Sequence, residues 1–306
     1  MWRANGWARI LLSLKKTRYD AVRTAQGLKE GASMSISVLC KGVGMSRQNF
    51  YKSRNERQRK WVDERLVRQM VEAERSVQPR LGGLKLHSML KDDLDAAGVS
   101  LGRDRFFEVL RNQALLLEAL PKAPRTTNSN HSLPVFTNLV KAFEVSFPNQ
   151  VWVADITYIR TREDFAYLSL ITDKYSRKVV GYHVGRTLET QDTLKALRMA
   201  LKELPKGMYP IHHSDRGCQY CSHEYVKLLK AQGLQVSMTE EDHCAENAMA
   251  ERVNGILKQE YFLNYTFNSI KQVKQAVDEA VWLYNSRRPH RSLSLKTPES
   301  IHKKAA

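Results

Sequence analysis

Cysteine is scarce, with four in 306 residues. That is too few for a disulfide scaffold and suits a reducing cytosolic compartment. No apolar run reaches the ~18 residues that a membrane span needs, so no spanning segment is expected. The one N-terminal candidate, Trp7 to Leu14, is short and runs into Lys15-Lys16 without a small-residue cleavage site, which argues against a signal peptide. Acid is also short: 32 Asp+Glu face 49 Lys+Arg, for a net charge of +17. Hydrophobic residues at 42% and charged residues at 26% are ordinary globular usage, which excludes disorder throughout, collagen and coiled coil for the whole chain. At ~100–200 residues per domain the length implies two or three domains.

The charge is unevenly spread. Residues 1–150 hold 26 basic and 14 acidic residues, a net of +12; residues 151–306 hold 23 and 18, a net of +5. A basic chain attracts polyanions, and nucleic acid is the commonest one in a cell. Charge alone does not separate a nucleic-acid enzyme from any other soluble basic protein.

Residues 1–33 are basic and weakly patterned, and read as an N-terminal extension outside the folded body. Residues 34–120 read as helical. Ile36 to Cys40, then Gly42-Val43-Gly44-Met45-Ser46-Arg47-Gln48-Asn49-Phe50-Tyr51, follows helix-turn-helix syntax, with Ser46 as N-cap and Phe50 packed inward. Arg47 and Asn49 then lie on the first turn of the second helix, where base edges are reached. An αα-hairpin without a DNA role fits the pattern equally well. A long charged helix is expected over 56–78. A second such unit follows, with a stripe of Leu84, Leu86, Met89, Leu90 and Leu94, a turn at 97–100, and a helix opening at Arg103. Arg103 and Arg105 are candidates for phosphate contact. Residues 121–138 begin with a proline-rich polar stretch and read as a linker.

Beyond the linker, 139–304 change to an α/β pattern. Strands are expected at 151–159, 165–172 and 178–184, then a helix at 190–204, a strand at 209–214, a helix at 224–232, a strand at 234–238 and a long helix at 245–262. The order βββαβαβα is that of an RNase H-like core, a five-stranded mixed sheet with helices on both faces.

Three acids stand out in that order. Asp155 interrupts an apolar strand, where a charge is costly unless paired or metal-bound. Asp215 follows the fourth strand directly, at the carboxyl end where α/β sheets place ligands. Glu251 lies on the long helix with Asn247, Asn254 and Lys258 on the same face, beside an apolar face of Ala250, Val253 and Leu257. The separations are 60 and 36 residues, so 35 residues intervene between the second and third acids. Three such carboxylates can hold two Mg²⁺ ions ~3.5–4 Å apart, one activating the nucleophile and one stabilising the leaving oxygen. Asp173 competes, but reads as a turn residue before Lys174 and Arg177.

These stretches resemble the DDE transposases and retroviral-type integrases, and specifically the larger reading frame of IS3-family insertion sequences. The resemblance rests on residues 151–159, 167–181, 213–220 and 246–251, on Lys258 seven residues after Glu251, and on Tyr284-Asn285-Ser286-Arg287-Arg288-Pro289-His290. It covers roughly residues 80–300. The chain departs from the family at Leu81-Gly82-Gly83-Leu84-Lys85 and at Cys244-Ala245-Glu246-Asn247, and neither departure touches the three acids. The resemblance implies cleavage at insertion-sequence ends and strand transfer, with Asp155, Asp215 and Glu251 catalytic, Mg²⁺ as cofactor and Mn²⁺ able to substitute. Lys258 would then contact DNA beside the acids. It implies double-stranded DNA as partner (the terminal inverted repeats and the target), a homo-oligomer on that DNA, and the product of a smaller upstream reading frame. It implies action in the bacterial cytoplasm on the nucleoid. Zinc at Cys218 and Cys221 with His212 and His213 is disfavoured, because all four crowd around Asp215. A regulator with a decayed nuclease site would have lost an acid. A minimal RNase H or junction nuclease would lack the upstream helical units.

Overall fold

A computed structural model of the protein describes residues 36–42, 44–118, 133–240 and 246–304. The expected extension at 1–33 and most of the expected linker lie outside the described residues. Two compact units emerge. One comprises the described residues up to Met70 with Ala97–Val99, and the other Val71–Ala96 with the chain from Ser100 on.

In the first unit, helix α1 (Ile36–Gly42) is followed by a turn closed by Met45 N donating to Cys40 O. Ser46 caps the next helix, its Oγ accepting from Asn49 N at 3.2 Å, and Phe50 is buried, both as expected. The second helix is longer than expected. α2 runs unbroken over Arg47–Val77, so the anticipated recognition helix and the charged helix from 56 are one element. Its 31 residues contain no Gly or Pro to interrupt it, and it stops where Gln78 precedes Pro79.

In the second unit, α3 (Gly83–Ala96) buries Leu86, Leu90 and Leu94, and α4 (Arg103–Asn112) buries Phe106, Val109 and Leu110. The sheet follows: β1 (Val151–Arg160), β2 (Phe165–Asp173) and β3 (Val179–Gly185) form an antiparallel meander. Helix α5 (Thr190–Glu203) returns the chain so that β4 (Ile211–Ser214) pairs parallel to β1. A single turn, α6 (Cys218–Cys221), and α7 (His223–Ala231) lead to β5 (Gln235–Met238), parallel to β4. The order β3-β2-β1-β4-β5 is an RNase H-like sheet. β4 begins two residues later than expected because Pro210 has no N–H for a ladder; Ile211 N makes the first bond, to Gln150 O.

Strand alternation sends side chains to two cores. Trp152, Ala154, Ile171 and Val180 pack with Leu194, Leu197, Tyr225 and Leu229 of α5 and α7. Gly181 permits this, since a Cβ there would run into Ala196 O. On the opposite face lie α8 (Ala248–Glu260) and α9 (Ile270–Ser286), which bring Val253, Ile256, Leu257, Val277 and Tyr284 against Leu168, Leu170 and Val184. Ala250 of α8 packs on Val151 and Val153 of β1. Among the described residues no helix is long and apolar enough to cross a membrane.

The far end of α8 is held by charge. Glu260 accepts from Arg288 Nε at 2.8 Å and from its second terminal nitrogen at 2.6 Å, and pairs with Lys85 of α3 at 3.2 Å. Burial works against the Arg288 cation, yet Glu260 outweighs it and raises its pKa. Lys85 is pushed down to about 8, by burial first and then by repulsion from Arg288. A second pair joins Arg287 to buried Glu74, which also accepts from Gln78. Breaking a buried pair strands the remaining charge and costs ~3–5 kcal/mol. Arg288→Ala should therefore cost several kcal/mol in urea denaturation, and Arg287→Ala less, because Arg287 is 43% exposed against 3% for Arg288. Equal losses would contradict this ranking.

Candidate active site

Asp155 lies in the middle of β1 with its side chain on the α8 face, as the alternation from Val151 and Val153 requires. β1 and β4 pair in a register offset by 60: Val151 with Ile211, Trp152 with His212, Val153 with His213. Two residues further on, the same offset sets Asp155 beside Asp215, which stands just past the end of β4. The 60-residue separation is thus the register of two parallel strands ~4.8 Å apart.

The loop after β4 is held open by its own bonds. Gly217 N donates to Asp215 Oδ1 at 3.0 Å, and Arg216 Nε to Thr239 O at 2.7 Å. On the other side, α8 is pinned to β1 around Asp155. Asn247 Nδ2 donates to Ala154 O at 3.1 Å, and Asn254 Nδ2 to Asp155 Oδ2 at 2.8 Å. Ile156 N donates to the other Asp155 oxygen at 2.9 Å. Lys258 lies over the Tyr158 ring, 4.4 Å from its centroid; burial lowers its pKa and the attraction of Asp155 partly offsets that.

Asp155 carries the main electrostatic signature. Its carboxyl is pushed up to about 7, by desolvation first and then by the charge of Asp215; the Asn254 and Ile156 hydrogen bonds oppose this, and Glu251 adds a smaller push. Glu251 stands exposed on the first turn of α8. Among the described residues no three Asp, Glu, His or Cys side chains are close enough to hold an ion together. Asp155 and Asp215 thus stand on neighbouring strands with Glu251 at the rim. The donor set, carboxylate oxygens on neighbouring strand ends, suits a hard divalent cation. Two asparagine oxygens here, Asn247 Oδ1 and Asn254 Oδ1, are buried with no protein partner, as is the Tyr220 hydroxyl. Burial raises the Tyr220 pKa, and the neighbouring Tyr225 and both aspartates add to it.

Asp173, expected as a turn residue, is instead the last residue of β2, paired with Trp152 of β1. It is fully buried and accepts from Asn149 N at 2.7 Å and from Ser176 N and Oγ at 2.7 and 2.6 Å, so its capacity is spent on structure. His212 bonds the Tyr225 hydroxyl and His213 bonds Ser237 Oγ, each at 2.9 Å, and Cys221 packs on Met238. Burial pushes these histidines down to about 3 and 4, and the Cys221 thiol up to about 11. These three side chains thus face separate partners, and Cys218 is exposed. In the helical region Arg47 and Asn49 are exposed. Arg103 pairs with Asp104 at 2.9 Å, an exposed pair that a phosphate can displace at little cost, and half-buried Arg105 pairs with Glu108 at 2.5 Å. The bond from Asn254 to Asp155 was not legible in the sequence beyond the shared helix face. Tyr220 and Tyr158 gave no sequence signal.

A five-stranded RNase H-like sheet with paired aspartates at one end defines an integrase-type core. Two Integrase core domain models match the chain, over residues 146–244 and 232–298. An insertion element IS600 uncharacterized 31 kDa protein of Shigella sonnei is 36% identical over 272 residues, covering 87% of this chain and 98% of that protein. Transposase InsF for insertion sequence IS3A of Escherichia coli (strain K12) is 31% identical over 286 residues, covering 90% and 96%. The HTLV-2 integrase catalytic core domain, solved in complex with magnesium, aligns with a TM-score of 0.41 at 23% identity, over 51% of this chain and 97% of that one. The chain belongs to the IS3 family of insertion-sequence transposases.

The Asp155 carboxyl predicts a pH effect in metal-free solution. The unfolded chain releases this proton near 3.8, the folded chain near 7. Between those values the native state holds a proton the unfolded state has lost, so this group lowers stability as pH rises. Asp155→Asn should gain on wild type from pH 5 to pH 8 by a few kcal/mol, at about 1.4 kcal/mol per pKa unit. Urea denaturation in chelator at several pH values reads this, and a gap independent of pH would mean that Asp155 ionises normally.

Proposed function

We propose that the protein is a DNA transposase that cuts at the ends of an insertion sequence and joins the freed ends to target DNA. The observation that carries this reading is the strand register that sets Asp155 beside Asp215, with α8 laid across them by Asn247 and Asn254. Asp155, Asp215 and Glu251 are its catalytic acids and metal ligands. Two Mg²⁺ ions, with Mn²⁺ able to substitute, would supply activation of the nucleophile and neutralisation of the leaving oxygen.

The residues of the chain do the rest. Asp155 and Asp215 present carboxylate oxygens from two rigid strands, and Glu251 swings in from α8. Asn254 fixes the rotamer of Asp155 through one oxygen. Lys258 flanks the site and meets a phosphate next to the scissile one. In cleavage a water oxygen attacks phosphorus and the bond to the 3′ oxygen breaks, leaving a 3′-hydroxyl on the element. In joining, that hydroxyl attacks a target phosphodiester and the target's 3′ oxygen departs. Joining exchanges one phosphodiester for another whereas cleavage is a hydrolysis, and in both steps positioning and charge stabilisation lower the barrier.

Residues 34–120 serve as the helical DNA-binding region, with Arg47, Asn49, Arg103 and Arg105 toward the terminal inverted repeats. Residues 121–138 link it to the catalytic core at 139–304. The protein acts as a homo-oligomer on DNA, in the bacterial nucleoid, in concert with the product of a smaller upstream frame. The net charge of +12 in the first half supports this division.

A labelled duplex carrying the element's terminal repeat tests the reading. Asp155→Asn, Asp215→Asn and Glu251→Gln should each lower cleavage and joining by ~10³-fold or more, with end binding intact, and chelator should abolish both steps. A Glu251→Gln chain that cuts at more than a tenth of the wild-type rate removes Glu251 from the assignment. Lys258→Ala should slow joining and reduce the salt slope of binding by about one. Unchanged slope and joining would leave Lys258 a structural partner of Tyr158.

A further inference from the structure

A second charged site lies at the start of β1. The β2–β3 turn and the loop after α9 enclose a cleft of about 460 Å³, lined by Lys174, Tyr175, Arg177, Ser292, Ser294 and Lys296 with apolar neighbours. The lining contains three cations and three hydroxyls, and no acid. Among the described residues Lys174 and Lys296 have no ion-pair partner, whereas Lys178 beside them pairs with Glu299 at 3.2 Å. The acid behind the turn, Asp173, is consumed by Asn149 and Ser176. Burial, and then the charge of Arg177, lowers the Lys174 pKa; burial also lowers that of Arg177, against the pull of Tyr284 and Asp173.

The walls are also strained. Arg177, Ser294 and Leu295 adopt left-handed backbone, at φ 65°, 53° and 62°, although none is glycine. Such positions persist only where the surroundings impose them, and they cluster at ligand sites. Tyr284 Oη donates to Arg177 O at 3.0 Å. The loop is pinned by His290 N donating to Lys296 O at 3.0 Å and by Leu295 N donating to His290 O at 2.8 Å. The chain thus holds three cations together in a fixed cleft at a conformational cost.

We propose that this cleft seats a phosphodiester of the DNA backbone, a phosphate other than the one being cut. Lys174 N bonds Val151 O, at the start of β1 and four residues before Asp155, so the cleft lies ~13 Å along the strand from the acids. That separation is within the width of a duplex and beyond the reach of a single phosphate. The inference rests on the transposase reading and adds to it a non-catalytic anchor.

The test uses the full chain and an element-end duplex, with affinity measured against salt. Lys174→Ala/Lys296→Ala should lower the log–log slope by about 0.9, the value for one phosphate neutralised, with the melting temperature unchanged. Lys296→Arg should keep the slope, as should Lys202→Ala on α5. A double variant with the wild-type slope overturns the proposal even if it binds and cuts DNA. The same holds if inorganic phosphate stabilises wild type but not the double variant while their DNA slopes agree, since the cleft then serves small anions. A wild-type chain that binds no duplex at all overturns the transposase reading, and this anchor with it.

Discussion

The catalytic half depends on one helix lying on one strand. α8 meets β1 through three contacts around Asp155: Asn247 to the Ala154 carbonyl, Ala250 on Val151 and Val153, and Asn254 to the Asp155 carboxylate. The small Ala250 allows close approach, and the two asparagines satisfy polar groups that burial would otherwise strand. Because β1 also sets the register of β4, the same strand positions Asp215. Loss of the α8 contact would leave the aspartates paired but separate them from Glu251 and Lys258.

The opposite end of α8 is held differently. Glu260 is clamped by Arg288 from the chain after α9 and by Lys85 from α3, and Glu74 by Arg287. The helix that carries Glu251 therefore has hydrogen-bonded asparagines at the site and buried ion pairs at its far end. Buried pairs contribute little net stability against an apolar alternative, but they define one geometry, because any other arrangement leaves a charge unpaired. The Asn285-Ser286-Arg287-Arg288 stretch thus has a structural purpose alongside its value as a signature.

Electrostatically the core is polarised. At one end of the sheet burial, and then the charge of Asp215, pushes the Asp155 carboxyl up to about 7, while three cations line a cleft toward the other. Each cluster is unfavourable alone and each is relieved by the same kind of ligand in different parts: a cation and the phosphate it accompanies at one end, a bare phosphate at the other.

Much of this was legible in the chain itself. Period-two and period-3.6 patterning placed the five strands and helices α5, α7 and α8 to within a few residues, because each buries one face, but gave α9 no bounds and missed the single turn α6. The 60-residue offset of the two aspartates was visible as a number, and its meaning is a strand register. What the sequence could not show were contacts between elements. The bond from Asn254 to Asp155 depends on the exact seating of α8. The union of the two expected helices into α2 depends on the absence of any breaker, which local patterning underweights. The position of Glu251 at the rim and the gathering of Lys174, Arg177 and Lys296 from segments over a hundred residues apart depend on packing and on long-range charge. Those interactions act through space, so only the tertiary structure decided them; the periodicity of burial acts along the chain, so the sequence determined it alone.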